Sequence, residues 1–344
     1  MALLEVENLQ VSFDMPKGAL YAVRGVSLSL RAGQTLAIVG ESGSGKTVLC
    51  RNLMRLCQGN SRARGSIRLN GRELLSLSPG EMRRVRGAQM AYLFQEPRTA
   101  LDKAFPIGAQ IVEAILAQEK IGKKAARERA LELLALVRLE EPERCYRAYP
   151  HELSGGMLQR AALCVALACR PAILIADEPT TALDATVQAE VLELLAAVQK
   201  ELGMALLLIT HDFGVAARLA DDIAVMYAGK FVEQGKAREV LYSPRHPYTW
   251  ALLAALPGDH PMYYLPGRPP ELSYLPEGDA FAPRNPYALE MDFLKEPPRF
   301  WVSDSHWAAT WLLHPDAPKI APPVYVREGK VVVEEGYRGK TAAV

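Results

Sequence analysis

A chain of 344 residues has room for one large or two modest domains, and at 49% hydrophobic and 23% charged residues it is too apolar for wholesale disorder. A formal net charge of +1 provides no bulk field to recruit nucleic acid or an anionic membrane, so no nucleic-acid partner is expected. No uncharged apolar run approaches the roughly 18–20 residues that a bilayer span requires, so any membrane role is expected to run through partner subunits. The cysteines Cys50, Cys57, Cys145, Cys164 and Cys169 form no C-x-x-C pair, which fits a reducing cytosol without disulfides. The opening Met1–Glu5 stretch has no basic region followed by an apolar core, so no signal peptide is expected. Arg83, Arg84 and Arg86 make only a short basic cluster, read as a solvated face.

Residues 3–38 read as strands, with clean alternation at Val26-Ser27-Leu28-Ser29-Leu30. Phe13 precedes the turn-like Asp14–Gly18 and could stack on a nucleotide base or sit in the core, and Tyr21 is a competing stacker. The apolar run Thr35–Val39 leads into Gly40-Glu41-Ser42-Gly43-Ser44-Gly45-Lys46-Thr47, which fits G-x-x-x-x-G-K-[ST], and a helical pattern follows. Strands are expected at Gly65–Gly71, closing on an Asn-Gly turn, and at Met90–Phe94, closing on Gln95-Glu96-Pro97. Residues 108–139 read as a helical insertion within an α/β domain. His151–Met157 leads into a helix through Cys169, and Ala172–Ala176 is a buried parallel strand ending at Asp177-Glu178. After another helix, Ala205–Ile209 ends at Thr210-His211-Asp212. Alternating strands and helices imply a doubly wound sheet, with polar residues emerging where ligands bind. Composition shifts near Ser243: 16 of the 24 prolines and all four tryptophans lie between residues 244 and 323, which predicts a small folded appendix of irregular backbone.

Nucleotide hydrolysis requires a phosphate cradle, a metal, an activated water and charge stabilisation. The loop glycines Gly40, Gly43 and Gly45, with Ser42 and Ser44, would turn backbone N–H groups inward at a helix N-terminus. Lys46 would reach the β- and γ-phosphates and the Thr47 hydroxyl would ligate Mg²⁺. Asp177 would hold the metal, Glu178 would act as general base on water, Gln95 would ligate the metal or sense the water, and His211 would contact the γ-phosphate. Ser154, Gly155 and Gly156 open a second helix and form a second anion site. One ATP does not need two such sites from one chain, so a head-to-tail dimer with ATP at its interface is the economical expectation.

Together these motifs resemble the nucleotide-binding subunits of ABC transporters over residues 3 to about 256: Walker A (Gly40–Thr47), Q-loop (Gln95), signature (Leu153–Met157), Walker B (Ile173–Glu178), D-loop (Ala182-Leu183-Asp184) and switch histidine (His211). Met157 stands where the signature usually has glutamine. The resemblance implies an ABC-type P-loop NTPase fold, α/β with an antiparallel β subdomain, a helical subdomain at about 98–155 and a Pro/Trp-rich C-terminal extension at 257–344. It implies ATP and Mg²⁺ as cofactors, with Asp184 among the nucleotide-site residues.

Phe94-Gln95-Glu96-Pro97, Thr99-Ala100-Leu101-Asp102, Pro150-His151-Glu152 and His246-Pro247-Tyr248-Thr249 resemble the oligopeptide/dipeptide importer ATPases of the OppD type, and Leu265–Pro270 resembles their C-terminal extension. In many members that extension carries four cysteines for an iron–sulfur cluster. Here Asp279, Asn285, Asp292 and Thr310 align at those positions, so no cluster is expected, and packing around Trp301, Trp307 and Trp311 is expected to hold the extension. The resemblance implies an ATP hydrolase driving oligopeptide or dipeptide uptake, peripheral on the cytoplasmic face of the membrane. Its partners would be a second, related ATPase in a heterodimer, two transmembrane permeases and an extracytoplasmic solute-binding protein. A nickel or metal-chelate importer is the alternative, because cargo is chosen by other subunits. A soluble DNA-repair or chromosome ATPase would need a coiled-coil insertion between Gln95 and Leu153, and a translation-type ABC protein would need two cassettes.

Overall fold

A computed structural model describes residues 2–16, 18–57, 59–181, 183–256, 263–265, 267–334, 337 and 340–341. The chain opens with β1 (Leu4–Met15) and β2 (Gly18–Leu30). In β1 the buried positions pass from Leu4 and Val6 to Leu9 and Val11 across Asn8, whose φ of 46° inserts a residue into the alternation. The strand is thus continuous across this residue. Next come β3 (Thr35–Val39), α1 (Lys46–Leu53), β4 (Ser61–Leu69) and β5 (Arg72–Glu73). Asn70 and Gly71 join the last two at φ 50° and 77°, the signature of a tight hairpin turn. A reciprocal Ser78/Glu81 capping box starts α2 (Pro79–Val85), followed by β6 (Met90–Leu93). The helical insertion is α3 (Pro97–Ala100), α4 (Ile107–Gln118), α5 (Lys123–Leu136) and α6 (Pro142–Arg147). Then follow α7 (Gly155–Leu167), β7 (Ile173–Asp177), α8 (Ala185–Leu202), β8 (Ala205–Thr210), α9 (Phe213–Leu219), β9 (Asp222–Tyr227), β10 (Lys230–Lys236), α10 (Ala237–Tyr242) and α11 (Pro247–Ala254). The remainder holds β11 (Tyr263–Tyr264), α12 (Glu290–Leu294), β12 (Phe300–Trp301), β13 (Trp307–Ala308), β14 (Val324–Arg327), β15 (Lys330–Val333) and β16 (Lys340–Thr341).

The chain divides into two compact units. The first comprises residues 1–5, 29–35 and 67–209. In it β6, β7 and β8 pair in parallel, with Ile173 opposite Met90 on one side and Ala205 on the other. All three strands are buried along their length, as a parallel sheet covered on both faces requires. Helix α7 packs on β6 and α8, and its Leu158, Ala161, Leu163 and Leu167 are buried. The insertion helices α4, α5 and α6 pack on one another, and α4 and α5 reach α7.

The second unit comprises residues 6–28, 36–66 and 210–344. Its β3 pairs in parallel with β9, and β9, β10, β13 and β12 continue antiparallel. The C-terminal region therefore extends the sheet by two short strands. Tryptophan packing differs from expectation. Trp301 is 64% exposed and Trp311 is half-buried, so of these three only Trp307 is a core residue. The buried centre is Phe281, whose ring lies 5.3 Å from both Tyr227 and Tyr248 and 5.8 Å from His246. Two-residue strands carry too little periodicity to reveal which aromatic ring faces inward. The division at residues 256 and 257 falls beside residues 257–262, which lie outside those described, as does Pro266.

Asp279, Asn285, Asp292 and Thr310 are all buried, and one side-chain oxygen of each accepts from a nearby backbone N–H: Phe281 at 3.0 Å, Tyr287 at 2.9 Å, Leu289 at 2.7 Å and Leu312 at 3.3 Å, respectively. Each side chain closes a local turn of a segment poor in regular structure.

Candidate functional site

In the second unit, five buried residues of β3 carry the chain into the loop Gly40–Gly45. Gly45 stands at φ 106°, and a Cβ there would meet the Ala22 carbonyl oxygen at 2.4 Å. At Gly40 a Cβ would meet the Met226 oxygen at 2.2 Å. Only glycine allows the loop this close to the neighbouring strands. Helix α1 starts at Lys46 with Gly45 as N-cap, which has no side chain to accept from the first-turn N–H groups. Lys46 is 4% exposed, and its Nζ donates to the carbonyl oxygens of Gly40 at 2.7 Å and Glu41 at 2.8 Å, so the ammonium is folded across the loop. Thr47 occupies the first turn of α1, half-buried. A buried cation, glycine-only backbone and a helix start without a side-chain cap form a donor set that suits a polyphosphate. Ser42 and Gly43 are exposed and Ser44 is buried.

His211 is exposed at the end of β8, just before α9, which Asp212 caps by accepting from Gly214 N–H at 2.6 Å. It shares with Glu41, Ser42, Ala251, Tyr263 and Arg284 a cleft of about 540 Å³. The phosphate loop and His211 thus border one space. Phe13 is half-buried in β1 and Tyr21 is exposed in β2.

In the first unit, Asp177 ends β7 at 1% exposure and accepts from the Tyr92 hydroxyl at 2.7 Å. Glu178 follows at φ 46°, a left-handed conformation that costs a non-glycine residue on the order of 1–3 kcal/mol and is typical of functional turns. Its N–H donates to Ile209 O at 2.9 Å, which fixes the turn. Its Oε2 accepts from Gln95 Nε2 at 3.1 Å and Thr181 Oγ1 at 2.8 Å. The structure thus brings together Gln95 and Glu178, which the sequence separates widely. Ser154 caps α7, accepting from Met157 N–H at 3.4 Å, while buried Leu153 anchors the turn and Gly155 is exposed. Asp184 caps α8, accepting from the N–H groups of Thr186 at 3.1 Å and Val187 at 3.0 Å. Ala182 of the same motif lies outside the described residues.

Sequence reasoning missed three participants. Tyr92 had a visible signal: a tyrosine in an otherwise apolar buried strand needs a partner for its hydroxyl. Thr181 lies only three residues after its partner Glu178, a local signal that was passed over, whereas Arg284 had none, because its partner Glu41 is 243 residues away. Arg284 donates Nη1 to Glu41 Oε2 at 2.7 Å and Nη2 to Glu41 Oε1 at 3.0 Å. All five cysteines are free, and burial is the main cause raising the thiols of Cys57, Cys145, Cys164 and Cys169 above the ordinary range. Among the described residues no helix is long and apolar enough to cross a membrane.

Comparison with known proteins agrees with this geometry. The ABC transporter family profile matches residues 23–181, and that of the oligopeptide/dipeptide transporter C-terminal region matches residues 232–291. The oligopeptide transport ATP-binding protein OppD of Bacillus subtilis (strain 168) is 50% identical over 332 residues, covering 94% of this chain and 93% of that protein. The dipeptide transport ATP-binding protein DppD of Lactococcus lactis subsp. cremoris (strain MG1363) is 48% identical over 326 residues, 93% of each chain. Among solved structures, a dimeric ATP-binding cassette in a post-hydrolysis state with ADP and Pi superposes with a TM-score of 0.62 at 27% identity, over 68% of this chain and 99% of that one. With half of the residues identical over 94% of its length, the chain belongs to the family of ABC transporter ATP-binding proteins, which bind and hydrolyse ATP.

Proposed function

We propose that this chain is the ATP-hydrolysing subunit of an ABC importer that takes up oligopeptides or dipeptides. The observation that carries the reading is identity near one half, over nearly the whole chain, to oligopeptide and dipeptide transport ATP-binding proteins. The chain is read as a nucleotide-binding domain over 1–256, with its helical subdomain at about 98–155, and an extension over 257–344. It would lie on the cytoplasmic face of the membrane with two permease subunits, a second related ATPase and an extracytoplasmic solute-binding protein.

In this reading the N–H groups of the Gly40–Gly45 loop and the Lys46 ammonium bind the phosphates, and Ser42 and Ser44 line the same loop. Thr47, Asp177 and Gln95 would hold Mg²⁺, which when bound supplies positive charge against the phosphate oxygens. Glu178 accepts a proton from the attacking water, with its carboxylate aimed by Gln95 and Thr181. His211 contacts the γ-phosphate from the cleft it shares with Glu41 and Ser42. Ser154, Gly155 and Gly156 serve the nucleotide of the partner ATPase, with Asp184 nearby, and the dimeric state named for the solved relative supports that arrangement. Phe13 or Tyr21 stacks on adenine.

The test is transport by cells that lack this chain, complemented with the wild-type or the Glu178→Gln protein. Uptake of labelled tri- to pentapeptides should return with the wild type and not with the variant. Wild-type peptide uptake in the deleted cells, with nickel-chelate uptake lost instead, would overturn the cargo.

A further inference from the structure

We infer that Arg284, in the C-terminal extension, is a positioning residue for the phosphate loop, an inference that rests on the nucleotide-site reading above. The G-x-x-x-x-G-K-[ST] pattern leaves its second position open, and here that position is Glu41. A carboxylate in a polyphosphate cradle opposes its ligand unless its charge is met. Arg284 meets it in a two-pronged ion pair, at 2.7 and 3.0 Å, with the guanidinium only 5% exposed. Nη1 also donates to the Tyr227 hydroxyl at 3.2 Å. The backbone of Glu41 is held as well: its N–H donates to the Tyr248 hydroxyl at 2.8 Å, and its carbonyl accepts from Lys46.

Tyr248 and Tyr227 both pack on Phe281, three residues before Arg284. The extension thus reaches the side chain of Glu41 directly and its N–H through Tyr248. Neutralising Glu41 and fixing its peptide set both the charge and the shape that the loop offers to phosphate. The extension acts as an outer wall of the nucleotide site.

The experiment measures binding of a fluorescent ATP analogue, ATPase KM and kcat, and the thermal midpoint on the full chain and its variants. Arg284→Gln leaves the half-buried Glu41 carboxylate without its counter-charge, so Kd and KM for ATP should rise about tenfold or more, with kcat changed less than about threefold. Adding Glu41→Gln to that variant should recover most of the affinity, because the uncompensated charge is gone. Arg284→Lys should recover only part, since an ammonium cannot make the two-pronged contact. Affinity within twofold of wild type in Arg284→Gln, or a loss that Glu41→Gln leaves untouched, would overturn the inference. If Arg284→Gln does not fold, Glu41→Gln alone decides it. Arg284 then keeps its contact with Tyr227 but no longer faces a carboxylate, so the loop gains net positive charge and Kd for ATP should fall about threefold, and an unchanged Kd would overturn the inference. A wild-type chain that binds no nucleotide would instead overturn the functional reading.

Discussion

Glu178 occupies a left-handed backbone conformation with its N–H tied to Ile209 and its carboxylate held by Gln95 and Thr181. Such over-determination keeps a strained residue in place. Glu178→Gln retains both hydrogen-bonding reach and volume, so nucleotide binding should persist while turnover falls at least about 100-fold. Equilibrium binding measured beside ATPase rates checks this, and unimpaired turnover would refute the assigned base. Beside it, Asp177 depends on the Tyr92 hydroxyl. Tyr92→Phe removes that donor from a buried carboxylate and should cost about 1–3 kcal/mol of stability, read from the urea midpoint. An unchanged midpoint would mean that Asp177 is satisfied without it. The paired carboxylates were legible in the sequence because a buried strand ending in two acids is a local pattern. The contacts that hold them join positions 83 and 85 residues apart, and no short window contains those.

At the scale of elements, strand β10 shows how the extension is keyed to the sheet. Glu233 in β10 is fully buried, with Oε1 accepting from the Arg245 N–H at 2.6 Å and Oε2 from the His246 N–H at 3.0 Å, just ahead of α11. The Nε2 of His306, next to β13, lies 2.7 Å from Glu233 Oε1. Gly235 admits that ring, since a Cβ there would meet His306 Cδ2 at 2.9 Å. One carboxylate thus ties together β10, the entry to α11 and the approach to β13. Glu233→Leu would leave two buried N–H groups and an imidazole without their acceptor. It should lower stability by about 3 kcal/mol or more, measured by denaturant unfolding, whereas a loss under about 0.5 kcal/mol would show the keying to be unimportant. The strands and helices of the nucleotide-binding region were readable from periodicity and flanking turn residues. The extension was not, because its folding rests on side-chain caps at Asp279, Asn285, Asp292 and Thr310 and on ring packing around Phe281, neither of which has a period.

For the molecule as a whole, two buried groups of the second unit pull the pH dependence of stability in opposite directions. Burial lowers His246 from 6.5 to about 3, so the native chain holds it neutral while the unfolded chain takes up a proton below about 6.5. Its effect is to remove stability as pH falls through that value. Burial is also the main cause that raises Asp279 from 3.8 to about 7, with the nearby Asp292 and Glu296 charges adding to it. The native Asp279 carboxyl therefore keeps its proton between about 4 and 7 while the unfolded chain has lost it, so stability declines as pH rises across that range and is not regained above it. Asp279→Asn retains the oxygen that accepts from Phe281 N–H and removes the ionisation. The variant should match the wild type near pH 4 and exceed it at pH 8, by up to roughly 4 kcal/mol if the whole difference in proton affinity is expressed in folding. Thermal midpoints of both proteins at pH 4, 6 and 8 decide the matter. A gain that is flat across pH would mean that packing, rather than ionisation, sets the energy of this position.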